Sequence, residues 1–287
     1  MLTHVLARAK EIPGVDEVVV TTTPRAQDDA LVNLCRGAGV RWSRGQRPLV
    51  GDPKRNDVLA GYVVAAETSR ADVVVRLTSD CPLLDPAVAG EVLARFLAER
   101  GCAYASNVHP PSWHDGCDVE IIHATALRQI EHNAAPDERE HVTTHLWRHP
   151  ERYPQVNVLA PGGENYAGIK LSVDTAEDLA RVRRVWQALP RAIRREGALM
   201  TWRAVIRAYR ETHPPPAEVR ARALYGERSE TAGRRAAYLA GVEAASRAVG
   251  GASPNPWSTA DAPALATAWT LGWEDVAVLG RSDLATT

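Results

Sequence analysis

Two aspartates close apolar runs of this 287-residue chain: Asp80 ends Val73 to Ser79, and Asp174 ends Ile169 to Val173. If both runs are strands of a parallel sheet, their carboxylates enter the crevice where such sheets bind ligands. Two carboxylates on neighbouring strands hold one Mg2+ at about 2.1 Å, leaving its other positions to water and phosphate. Plainer explanations exist for each. Asp80 fits a strand-end turn, and Asp174-Thr175-Ala176-Glu177 fits a helix N-cap. On spacing alone the plainer explanations hold.

Other residues invite the same double reading. Arg76 sits in the apolar run before Asp80, so its buried guanidinium needs a carboxylate or a phosphate. His141, His145 and His149 fall at i, i+4 and i+8 of an expected helix, a spacing that presents nitrogens to Zn2+. No acidic or cysteine ligand motif accompanies them, which argues against zinc. Cys35, Cys81, Cys102 and Cys117 show no C-x-x-C spacing, so they form neither a zinc knuckle nor a redox pair. Reduced thiols fit a cytoplasmic protein.

The elements that must position these groups follow from periodicity. Helical spacing runs from Leu2 to Ile12, and β-branched runs at Glu17 to Thr23 and Asp72 to Asp80 read as buried strands. Helices are expected over Pro24–Ala38, Asp57–Thr68 (capped by Asn56), Pro86–Glu99, Glu138–His149, Ala176–Leu189 and Trp202–Arg210. Further strands are expected at 40–42, 103–105, 119–122, 155–159 and 169–173, with 43–55 a loop. This alternation predicts an α/β fold with a mainly parallel sheet covered on both faces. Pro214-Pro215-Pro216 breaks the chain into a main domain, residues 1–212, and a small helical domain, 217–287. The net charge of −1 argues against nucleic-acid binding driven by bulk charge, and no run reaches the roughly 20 apolar residues of a membrane span.

Four stretches then resemble one family in order and spacing: R-L-T-S-D-C-P-L-L-D-P (76–86), D-G-C-D-V-E (115–120), E-R-E-H-V-T (138–143) and S-V-D-T-A-E-D-L (172–179). They are similar to the spore-coat polysaccharide biosynthesis protein F family, which groups with the cytidylyltransferases that make CMP-activated sugars. The resemblance covers residues 1 to about 190. It implies a GT-A-like nucleotidyltransferase fold, Mg2+ dependence, and transfer of a nucleoside monophosphate from CTP to a sugar with release of pyrophosphate. It implies Mg2+ binding and catalysis at Asp80 and Asp174. It also implies a substrate pocket drawing on Arg76, Asp115, Asp118, Glu120, Glu138, Arg139 and His141. Asp115 has a solvated acidic loop as its equal alternative, and Glu138 and Arg139 have structural salt bridges. The related synthetases suggest a homodimer.

That family begins with a strand and an A-R-x-x-S-x-R-L-x-x-K loop that grips the triphosphate, before the helix that opens this chain. The expectation is therefore a sheet with unpaired edges and a poor catalyst, through a start assigned too late or a true loss. The tail carries Gly233, Ala237, Gly241 and Ala245 every four residues, with Asn255-Pro256-Trp257 and Trp269 to Trp273 beyond. It resembles ribosome modulation factor-like small domains, implying a ribosome or RNA contact. The competing reading of the whole is a non-catalytic interaction protein with a degenerate nucleotidyltransferase fold. A GT-A glycosyltransferase would need a D-x-D motif, and Asp115 to Asp118 is not one.

Overall fold

The computed structural model describes residues 1–196 and 200–213. The chain divides into two compact units, Met1–Ile206 and Arg207–Thr287. The helical appendage expected over 217–287, with its ribosome or RNA contact, lies outside the described residues. No described helix is long and apolar enough to cross a membrane.

Helix α1 (Leu2–Ala9) buries Val5, Leu6 and Ala9, the stripe that helical spacing predicts. Strand β1 (Val19–Thr21) leads through α2 (Asp29–Gly37) to β2 (Arg41–Ser43), its parallel partner in a two-stranded sheet. The expected loop at 43–55 is instead an antiparallel hairpin, β3 (Arg47–Leu49) with β4 (Asp52–Asp57). Its residues are polar and arginine-rich, so no hydrophobic alternation announced it. Ion pairs from Arg47 to Asp57 and from Arg55 to Glu140 anchor it. Helix α3 (Val58–Ser69) is capped by Asp57, which accepts from Ala60 N at 3.0 Å, and not by Asn56.

The main sheet is built from β5 (Val73–Arg76), β6 (Tyr104–Ser106), β7 (Glu120–His123) and β8 (Gln155–Asn157), in the order β5-β7-β6-β8. It is mixed rather than mainly parallel. Strands β5 and β6 both run antiparallel to β7, and only β6–β8 is parallel. The polar loop between β6 and β7 carries no crossover helix, so the chain returns alongside β6 in the opposite direction. Among the described residues β1, β2, β5 and β8 are the edges of their sheets.

Successive residues serve opposite faces, as strand geometry requires. Ala105 and Ile121 join a cluster with Val92, Leu93 and Phe96 of α4 (Pro86–Ala98). Their neighbours Tyr104 and Ile122 join Leu59 and Val63 of α3 with Leu127 and Ile130 of α5 (Ala124–Asn133). The sheet is thus buried on both faces.

Two expected elements are reduced. The helix over 138–149 is a 3-10 turn (Pro136–Glu138) followed by the five-residue α6 (Thr144–Arg148). The strand at 169–173 makes one isolated bridge, Asp115 to Lys170. Helix α7 (Ala176–Ala188) starts at a capping box between Thr175 and Asp178, so Asp174 is left outside the cap. Helices α8 (Arg191–Glu196) and α9 (Trp202–Thr212) complete the described elements.

Candidate active site

The backbone brings the acidic loops together. Val173 N donates to Asp80 O at 3.0 Å, so Asp174 follows directly on a residue bonded to Asp80. Asp115 N donates to Ile169 O at 3.0 Å, and Leu171 N to Asp115 O at 2.7 Å. Gly116 makes this approach possible: its φ is +107°, and a Cβ there would stand 2.7 Å from the Leu171 carbonyl carbon.

The electrostatics agree with convergence. The Asp118 carboxyl is pushed up to about 7 by burial and then by the negative charges of Asp115, Glu120 and Asp80. One ammonium answers this charge. Lys170 Nζ donates to Asp174 Oδ2 at 2.5 Å and to Ser172 Oγ at 2.7 Å, and it stands 3.4 Å from Asp115 Oδ2. Its hydrogen bond to Asp174 raises the lysine above its ordinary value.

Beside this cluster opens a cleft of about 420 Å³ whose lining includes Arg76, Thr78, Asp118, Glu120, His141 and Trp147. Four of the substrate residues expected from sequence therefore share one wall. Glu120 is buried and fully engaged: it pairs with Arg76 and accepts from Tyr104 Oη and Thr143 Oγ1, each at 2.6 Å. Burial works against the Arg76 charge, but Glu120 more than restores it and its value is raised. Arg76 Nε remains buried without a partner among the described residues.

Glu138 and Arg139 are not on this wall. Arg139 Nη2 donates to Asp57 at 2.9 Å and lines a separate cleft with Arg47 and His132. Glu138 is buried, accepting from His145 Nδ1 at 2.8 Å and from Arg148 Nη1 at 3.3 Å. Burial opposes the Glu138 charge, yet the His145 hydrogen bond holds its carboxyl below the usual range. Both residues make the structural ion pairs that were their alternative. Asp80, Asp115 and Asp174 sit outside the lining too.

Sequence reasoning missed Lys170, Thr143 and Tyr104. Lys170 is one of three lysines in an arginine-rich chain and lies four residues before Asp174, a signal within reach. Tyr104 gave none, because a tyrosine in a strand reads as core.

Residues 1–203 match the cytidylyltransferase family. The chain belongs to that family. Among curated proteins it is 28% identical over 179 residues to an uncharacterized protein of Methanocaldococcus jannaschii, covering 62% of this chain and 69% of that one. It is 28% identical over 174 residues to the spore coat polysaccharide biosynthesis protein SpsF of Bacillus subtilis, covering 60% and 68%. A solved structure of a cytidylyltransferase from Leptospira borgpetersenii superposes with a TM-score of 0.65 at 24% identity, over 73% of this chain and 82% of that one. That likeness shows the nucleotidyltransferase-like α/β fold.

Proposed function

We propose that this cytidylyltransferase family member transfers CMP from CTP to an acidic or modified sugar and releases pyrophosphate, in the making of surface-polysaccharide or glycan precursors. The observation that carries the reading is the approach of the loops that bear Asp80, Asp115 and Asp174 to a cleft lined by Asp118, with the Lys170 ammonium paired to Asp115 and Asp174. Burial and neighbouring carboxylates together raise Asp118, and such a group of acids favours a cation. Lys170, paired with Asp115 and Asp174, is a stand-in for such an ion.

Asp80 and Asp174 are the residues that would hold Mg2+, a hard cation that takes carboxylate oxygens and keeps water and phosphate as its other ligands. Bound there, Mg2+ would neutralise charge on the α-phosphate and the departing pyrophosphate. The chain's own groups do the rest. A sugar hydroxyl oxygen attacks the α-phosphorus, the bond to the β-phosphate oxygen breaks, and pyrophosphate leaves. Asp118, poised near neutrality, accepts the hydroxyl hydrogen bond and the proton. Arg76 and Arg148 on the cleft wall meet the acidic group of the sugar, and Trp147 offers a face to its ring.

Pyrophosphate release from CTP and Mg2+, scanned over acidic sugars, tests the reaction. The expected result is sugar-dependent release that Asp80→Asn lowers at least about 100-fold, the scale of a lost charge-stabilising group. Release that survives Asp80→Asn unchanged, or no Mg2+-dependent CTP binding at all, would overturn the proposal.

A further inference from the structure

Among the described residues one group of three brings its ligand atoms within 4.8 Å of one another, and it is not the aspartates: it is Glu138, His145 and His149. His145 Nδ1 lies 2.8 Å from Glu138 Oε2, and the rings of His145 and His149 stand 4.5 Å apart. Glu138 and His145 are each 6% exposed, and His149 closes the group at the surface. The histidine spacing had suggested zinc and lacked an acidic ligand. The 3-10 turn supplies one, by folding Glu138 back against α6, while His141 turns to the cleft.

We propose that Glu138, His145 and His149 form a Zn2+ site that pins α6 behind the cleft wall. The nitrogen of His145 that would bind is Nδ1, exchanging its bond to Glu138 for the ion and passing its proton to Nε2. That Nε2 and the hydroxyl of Tyr153, whose ring lies 5.9 Å from that of His145, are buried with no partner among the described residues, so both are left for the hydrogen bonds this tautomer needs. The nitrogen of His149 that would bind is also prepared. Its Nδ1 stands 3.3 Å from Glu151 Oε1, which leaves Nε2 for the ion.

Two imidazoles and one carboxylate are a zinc set and a poor magnesium one. The three ligand atoms, already within 4.8 Å of one another, would close on the ion to bonds of about 2.0–2.1 Å. The fourth position falls to water or to the Tyr153 hydroxyl. Arg148, half exposed and already lining the cleft, now shares Glu138 and would be released from it when an ion takes the carboxylate. The gain is local order. Five residues are too few for a helix to hold itself in water, and α6 carries Thr144, Trp147 and Arg148 to the cleft.

The site stands independently of cytidylyl transfer, and its test does not use activity. Full-length protein is stripped with chelator, and its uptake of Zn2+ and of Co2+ is measured by elemental analysis and absorption. The expected result is one equivalent per chain, a melting temperature that rises with Zn2+, and a Co2+ spectrum without thiolate charge transfer. His149→Ala, at a partly exposed position the fold tolerates, lowers Zn2+ affinity at least about tenfold and removes the thermal shift. Glu138→Gln lowers it as well, and Asp80→Asn leaves it intact. No stoichiometric uptake, uptake unchanged in His149→Ala, or a thiolate signal from the cysteines would each overturn the site.

Discussion

Asp118 is held in an environment that its charge makes worse. Its carboxyl titrates at about 7 in the folded chain, raised by burial and by Asp115, Glu120 and Asp80, against about 3.9 in an unfolded one. Between those values the folded state binds the extra proton, so stability falls as pH rises from about 4 to about 7 and is level above. Asp118→Asn removes the titrating group. Its advantage over the parent in urea unfolding is expected to be small at pH 5 and to grow by about 1–2 kcal/mol by pH 8, after discounting for solvent screening. An advantage independent of pH would mean that burial and the neighbouring carboxylates do not raise Asp118. Lys170 belongs to the same argument, since it is the ammonium that the crowd collects.

At the scale of elements, one buried aspartate joins two helix starts. Asp85 Oδ1 caps α4 by accepting from Ala87 N at 2.8 Å, and its Oδ2 accepts from Trp202 N, the first residue of α9, at 2.7 Å. Asp85→Ala removes a cap and orphans a buried N–H, which together cost about 2–4 kcal/mol. Asp85→Asn keeps an acceptor and is expected to cost less than half of that. The midpoint of urea unfolding decides, and equal losses for both would show that the acceptor Asn retains contributes nothing. Elements with a hydrophobic period were legible: α1, α4 and α7 lie where spacing put them, within a residue or two for the last two. The β3–β4 hairpin and α5 were not, because one is held by arginine–carboxylate pairs between distant residues and the other follows a strand without a break. Within the site, Asp118, Glu120, Arg76 and His141 were legible as motif residues. The partners that fix Glu120 come from β6 and from the start of α6, and only folding brings them together.

At the scale of the whole molecule, the four cysteines sample separate parts of the core. Cys35 packs with Leu6 and Val40 under the two-stranded β1–β2 sheet. Cys102 lies with Val92 and Phe96 against the four-stranded sheet, and Cys117 lies with Trp113 and Trp202. All four are free and buried. Burial pushes the Cys117 thiol up to about 12 and Cys81 well above its ordinary value, so no native thiolate is available for reaction. Labelling must then wait for local opening, and opening is easiest where little apolar area is buried. The Cys35 cluster has three buried members, Leu6, Cys35 and Val40, against eleven in the cluster that holds Cys102. Mass-resolved labelling in mild urea is expected to modify Cys35 at least about tenfold faster than Cys102 and Cys117, a difference of about 1.4 kcal/mol in opening free energy. Equal rates at all four thiols would mean that β1, β2 and the main sheet open as one cooperative unit, despite belonging to separate ladders.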